Sequence, residues 1–112
     1  MSTTKTTQPQ AKRQVTTAER PIDRLLDIMA YLRTHPEGCP WTKEQTHQSL
    51  VPYLVEESYE TADMIDQGQH DGPLRDELGD VLLQIAFHAE IARERGSFTF
   101  DDVAQAIVDK LE

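Results

Sequence analysis

The 112-residue chain has a single cysteine, Cys39. That excludes an intrachain disulfide and a four-cysteine zinc site, and it fits a reducing compartment. There is no apolar run of the length needed to cross a bilayer and no apolar signal core at the N-terminus, so the expectation is a cytoplasmic protein with no membrane partner. Basic residues are also scarce: 11 Lys and Arg stand against 20 Asp and Glu, for a net charge of −9. A chain with so few cations is poorly suited to tracking a nucleic-acid backbone, where clustered Lys and Arg must neutralise phosphates. No internal repeat is apparent.

The acid is unevenly spread. Lys5, Lys12, Arg13 and Arg20 against Glu19 make residues 1–20 net positive by 3, which leaves −12 for residues 21–112 out of the total of −9. Between Glu56 and Asp80 there are nine acidic residues and one basic residue, Arg75. Residues 1–20 are polar and rich in Thr, Gln and Lys, the composition of a disordered tail, so the folded domain is expected at 21–112. A domain this small gains little from its own core, and pairing with a second copy is a common remedy.

From Pro21 the pattern is helical. Ile22, Leu25, Leu26, Met29 and Leu32 recur at helical spacing up to about Thr34. His35-Pro36-Glu37-Gly38-Cys39-Pro40 breaks the helix, and the spacing predicts a loop from there through Trp41 to about Gln48. A second helix is expected from Ser49 or Leu50 to Gln67, with Pro52 in its first turn. Val51, Leu54, Val55, Tyr59, Ala62 and Ile65 would form its apolar side. After Pro73 a third helix would carry Leu74, Leu78, Val81, Leu82, Ile85 and Ala89 to about Arg95. Thr99 and Asp102 resemble a capping box before a last helix, Asp101 to Leu111. The fold class is all-α, with four helices.

At 100° per residue Glu56, Glu57 and Glu60 share one face of the second helix. Glu77, Asp80, Gln84 and His88 fall within about 80° of each other on the third. Glu57 and Glu60 are three apart, as are Glu77 and Asp80, so each pair has neighbouring carboxylates, and the two pairs can converge across antiparallel helices. Converging carboxylates repel unless one takes up a proton or a hard divalent ion joins them. Magnesium, which keeps phosphates and waters in its shell, would point to a phosphate-bearing substrate. Acidic residues at helical spacing also commonly form a solvated face, and spacing alone leaves both readings open.

The residues also resemble a known family. Glu56-Glu57-x-x-Glu60 followed by Glu77-x-x-Asp80 is similar to the signature of the MazG nucleoside triphosphate pyrophosphohydrolases. Gly38-Cys39-Pro40-Trp41-x-Lys43-Glu44-Gln45-Thr46, Arg75 to Gln84, and Phe98-x-Phe100-Asp101-Asp102-Val103 resemble flanking segments of that family. The resemblance implies a four-helix domain that builds helical bundles as a homodimer or higher homo-oligomer. It also implies Mg²⁺, with Mn²⁺ as an alternative, and hydrolysis of nucleoside triphosphates to monophosphate and pyrophosphate in nucleotide-pool housekeeping. Carried onto this chain, Glu57, Glu60, Glu77 and Asp80 would hold the metal, and Glu56 would assist catalysis at a second ion or by orienting the attacking water.

Two rival expectations stand beside this one: a related pyrophosphohydrolase for a special nucleotide such as phosphoribosyl-ATP or dUTP, and a non-catalytic helical module that binds metal or oligomerises. One departure is Thr42, where family members commonly have aspartate after the tryptophan. Among other residues, Trp41 offers an aromatic face to a base and Lys43 an ammonium to a phosphate, although Trp41 would equally anchor its loop. His88 is read as a proton shuttle or ligand, or more simply as a hydrogen-bonded histidine. His35, His47 and His70 share no spacing.

Overall fold

A computed structural model of the chain describes residues 15–112, and the first fourteen residues of the expected tail lie outside it. The described residues form five α-helices and no strand: α1 Pro21–Thr34, α2 Pro40–Glu44, α3 His47–Asp66, α4 Gly72–Glu94 and α5 Phe100–Leu111. Residues 15–20 are not helical but are held against α1. Thr16 is buried, its hydroxyl donates to the Asp27 carboxylate, and the Ala18 carbonyl accepts from Arg24 Nη1 at 3.1 Å.

Four of the five helices correspond to the expected ones, and two differences lie between α1 and α3. The segment expected as loop contains the short helix α2, with Pro40 in its first turn and the Cys39 sulfur accepting from the Thr42 amide. Proline breaks a helix only from within; at the first position its missing N–H costs nothing. Helix α3 also begins at His47, earlier than Ser49 or Leu50. Thr46 caps it by accepting from the Ser49 amide (3.0 Å), and Ser49 Oγ accepts from the Thr46 amide (2.8 Å). Pro52 accordingly lies inside α3 and not in its first turn. The capping box expected at Thr99 and Asp102 is formed, with bonds of 2.9 and 3.2 Å.

Helices α3 and α4, joined by the short turn at 67–71, make an antiparallel hairpin that α1 covers at one end. The core joins Met29 of α1, Leu50 of α3, and Ala86, Phe87 and Ile91 of α4, with Leu25, Leu26 and Leu83 packed against them.

The inward faces match the expected ones only in part. On α3 the shielded residues include Leu50, Leu54, Glu57, Thr61 and Met64, alternating four and three apart, with His47 and Glu60 beside them, whereas Val51, Val55, Tyr59, Ala62 and Ile65 are exposed. On α4 the expected stripe members Leu74, Val81 and Ala89 are shielded, but Leu78, Leu82 and Ile85 are exposed, while Gln84 and Glu90 are buried. Both helices are therefore rotated so that acidic and amide side chains enter the seam between them, and much of their aliphatic surface faces outward. No helix among the described residues is long and apolar enough to cross a membrane.

Candidate metal centre

The heptad-like line 50-54-57-61-64 puts Glu57 in the middle of the α3–α4 seam, with Glu60 beside it one turn on. Glu77 meets them from the first half of α4. One carboxylate oxygen from each of Glu57, Glu60 and Glu77 lies within 4.8 Å of the others, and none of the three residues is fully exposed. Asp80 and Glu56 are near enough for their charges to act on Glu57. Asp80 is partly shielded but outside that trio, and Glu56 stands on the exposed margin. Of the four residues expected to share a metal, the structure thus brings three together tightly and sets the fourth beside them.

The electrostatics follow from the crowding. Burial, followed by the charges of Asp80, Glu60, Glu77 and Glu56, raises the Glu57 carboxyl from 4.5 to about 7. Glu57 Oε1, Glu60 Oε1 and Gln84 Oε1 are shielded from water with no hydrogen-bond partner among the described residues. Shielded acceptors without donors are costly, and carboxylate oxygens in this state fit an oxygen-seeking cation.

Trp41 projects from α2 and is 48% exposed. Its ring meets Tyr53 edge-on at 5.7 Å and Phe87 at 6.2 Å between centroids. Tyr53 precedes Glu60 by two helical turns, and Phe87 follows Asp80 by two. Because α3 and α4 run antiparallel, Trp41 sits over the same edge of the seam as Glu60 and Asp80, about 10 Å further along it. Trp41 therefore does anchor its segment, while about half of its surface stays exposed. Lys43 lies on the same short helix, partly buried. Tyr53 escaped the sequence reading, although its place one heptad before Glu60 was available there.

His88 is a hydrogen-bonded histidine, the simpler of its two expected readings, and its partner is His47, which the sequence does not single out; their Nδ1 atoms are 2.7 Å apart. Their planes differ by 4° and their centroids stand 5.0 Å apart. With the nitrogens so much closer than the centroids, the rings meet edge to edge, and one Nδ1–H donates to the other Nδ1. Burial, then His47, lowers the His88 pKa. These residues are 41 apart in sequence, and only the α3–α4 register brings them together.

Residues 45–112 match the family model of the MazG nucleotide pyrophosphohydrolase domain. The chain is 54% identical over 90 residues to a Thermotoga maritima protein named nucleoside triphosphate pyrophosphohydrolase/pyrophosphatase MazG, covering 80% of this chain and 34% of that protein. It is 53% identical over 91 residues to the Escherichia coli K12 nucleoside triphosphate pyrophosphohydrolase, covering 81% and 34%. To the Mycobacterium tuberculosis protein of the same name it is 47% identical over 91 residues, covering 80% and 28%. The chain thus spans about a third of the length of these relatives. A match extending from the end of α2 to the last residue, across both acidic helices, shows that the chain belongs to the MazG nucleotide pyrophosphohydrolase domain family.

Proposed function

We propose that this domain hydrolyses nucleoside triphosphates to nucleoside monophosphate and pyrophosphate, with Mg²⁺ held in the α3–α4 seam and with Mn²⁺ able to replace it. The observation that carries the reading is the convergence of Glu57, Glu60 and Glu77 with shielded, unpartnered oxygens on Glu57 and Glu60. Those three carboxylates would hold the ion, and Asp80 would complete the set. A bound divalent ion would supply positive charge against the crowded carboxylates and against the charge that develops on departing pyrophosphate.

The chain's own residues do the rest. Glu56, on the exposed margin, orients water for attack and takes up its proton. Trp41, edge-packed on Tyr53, offers its open face to the base, about 10 Å along the seam from the carboxylates, and Lys43 on the same helix meets a phosphate. The named activity of the Thermotoga and Escherichia relatives supports the same reading.

We further propose that the domain works as a homodimer or larger homo-oligomer. The support is the outward aliphatic surface of Val51, Val55 and Ile65 on α3 and of Leu78, Leu82 and Ile85 on α4. Helix α5 adds to it, since it has no buried residue and exposes Val103, Ile107, Val108 and Leu111.

The test of function is pyrophosphate release from a panel of nucleoside triphosphates in Mg²⁺, in wild type and Glu57→Gln. Turnover in wild type and a loss of at least about a hundredfold in the variant are expected. Equal turnover in both would remove Glu57 from the site, and no turnover of any nucleotide would leave a metal-binding module without this activity.

A further inference from the structure

Helix α2 has five residues, of which only Thr42 is buried. A helix this short has no cooperative stability of its own. Its seating nevertheless decides where Trp41 and Lys43 stand, and one side chain ties its C-terminal end to the rest of the fold. Arg33, in the last turn of α1, donates from Nη1 to the carbonyl oxygens of Thr42 (2.7 Å) and Gln45 (3.1 Å). Its other edge grips the last residue of α4: Nε donates to Glu94 Oε2 at 2.7 Å and Nη2 to Glu94 Oε1 at 3.1 Å. The guanidinium carbon lies 5.8 Å from the centroid of Phe87, the same ring that Trp41 meets edge-on. The Arg33 side chain is 9% exposed and that of Glu94 26%, so the guanidinium is shielded at the junction of α1, α2 and α4 while its carboxylate partner reaches the surface, and the part-buried bonds to the α2 carbonyls matter more than the ion pair.

We infer that Arg33, anchored by Glu94, is a positioning residue for substrate binding: it seats α2, and with it Trp41 and Lys43, against the α3–α4 hairpin that carries the carboxylates. The inference rests on the proposed reading that nucleoside triphosphates bind at the carboxylate seam. The planar fork is what the position requires. One edge engages a carboxylate at two points while the remaining nitrogen caps two carbonyls, a division of labour that the single ammonium of lysine cannot reproduce.

Trp41 is the only tryptophan of the chain, so its fluorescence reports the seating of α2 alone. The test compares wild type with Arg33→Gln, Arg33→Lys and Glu94→Gln by acrylamide quenching of Trp41, by KM and kcat for a triphosphate in Mg²⁺, and by affinity for a non-hydrolysable imido-triphosphate analogue. The Mg²⁺-induced rise in thermal midpoint serves as a control for the carboxylate site. In Arg33→Gln we expect greater quenching, a roughly tenfold rise in KM and in the analogue's Kd, kcat within about threefold, and an unchanged Mg²⁺ response. Glu94→Gln should move the same quantities less, and Arg33→Lys should restore them only in part.

Unchanged quenching and KM in Arg33→Gln would overturn the inference, as would a fall in kcat at constant KM. If Arg33→Gln does not fold, Glu94→Gln decides on the same readouts. If wild type hydrolyses no nucleotide, the proposed function fails separately. Analogue affinity and Trp41 quenching then decide this inference, and their insensitivity to Arg33 overturns it.

Discussion

At the scale of single residues, the site is a conflict between charge and burial that Glu57 expresses most strongly. Its carboxyl, raised to about 7 by burial and by Asp80, Glu60, Glu77 and Glu56, has a folded pKa above its unfolded value of 4.5. Such a group costs nothing while protonated in both states, below pH 4.5, and removes stability as pH rises through 7. In EDTA the thermal midpoint of wild type should therefore fall between about pH 5 and pH 8, by the equivalent of about 1–3 kcal/mol. Glu57→Gln should remove most of that slope and be the more stable protein at the alkaline end. Mg²⁺ should reverse the order by favouring the ionised form, with a larger effect at higher pH. Parallel pH profiles for the two proteins in EDTA would show that Glu57 is not under this strain. The sequence carried this much of the site: two i,i+3 carboxylate pairs on adjacent helices are visible from spacing. It did not carry the weighting, in which Glu57 sits at the centre and Asp80 and Glu56 at the margins, because that depends on helix rotation. The His47–His88 contact was invisible for the same reason.

At the scale of elements, the helices that a period of 3.6 residues can mark, α1, α3, α4 and α5, were all readable, and the short helix α2 was not. Five residues are too few to show a period, and two prolines and a glycine read as loop. The glycine has a specific task. A Cβ at Gly38 would stand 2.5 Å from the Leu32 carbonyl oxygen and 2.6 Å from that of Tyr31, both backbone atoms at the end of α1 that cannot swing aside. The segment lies so close that the Cys39 amide donates to the Leu32 carbonyl at 2.9 Å. Gly38→Ala should therefore cost on the order of 1–3 kcal/mol in denaturant unfolding and should loosen Trp41 in the same quenching assay. A variant as stable as wild type would mean that the α1–α2 turn can open without loss. The early start of α3 is a smaller case. Its capping box closes with Ser49 where glutamate or glutamine is the usual signal, so the boundary was read two or three residues late. Thr46→Ala should lose about 1 kcal/mol by the same measurement.

At the scale of the whole molecule, the apolar periodicity marks the helices, but only Leu54 of the α3 stripe and Leu74, Val81 and Ala89 of the α4 stripe turn inward. The seam between α3 and α4 is occupied by Glu57, Glu60, Glu77 and Gln84 as well as by Leu50 and Leu54, so the stripes of Val51, Val55 and Ile65 and of Leu78, Leu82 and Ile85 are left outside. A chain that places carboxylates where a small protein would normally place leucines has surrendered part of its core, and a second copy can return it. Completing the burial of a half-exposed Leu or Ile is worth roughly 1 kcal/mol, so the α3 and α4 stripes together can sustain association. The net charge of −9 on each copy works against it, and salt screens that repulsion. Sedimentation of wild type should therefore show a dimer or larger species that tightens as NaCl is raised, with a thermal midpoint that rises with protein concentration. Leu82→Asp places a charge in the middle of the α4 stripe without touching the seam, and it should shift the population to monomer while the Mg²⁺ response at Glu57 persists. A wild type that stays monomeric at every concentration and salt level would mean that these stripes are simply solvated, and that the hairpin tolerates its acidic seam without help.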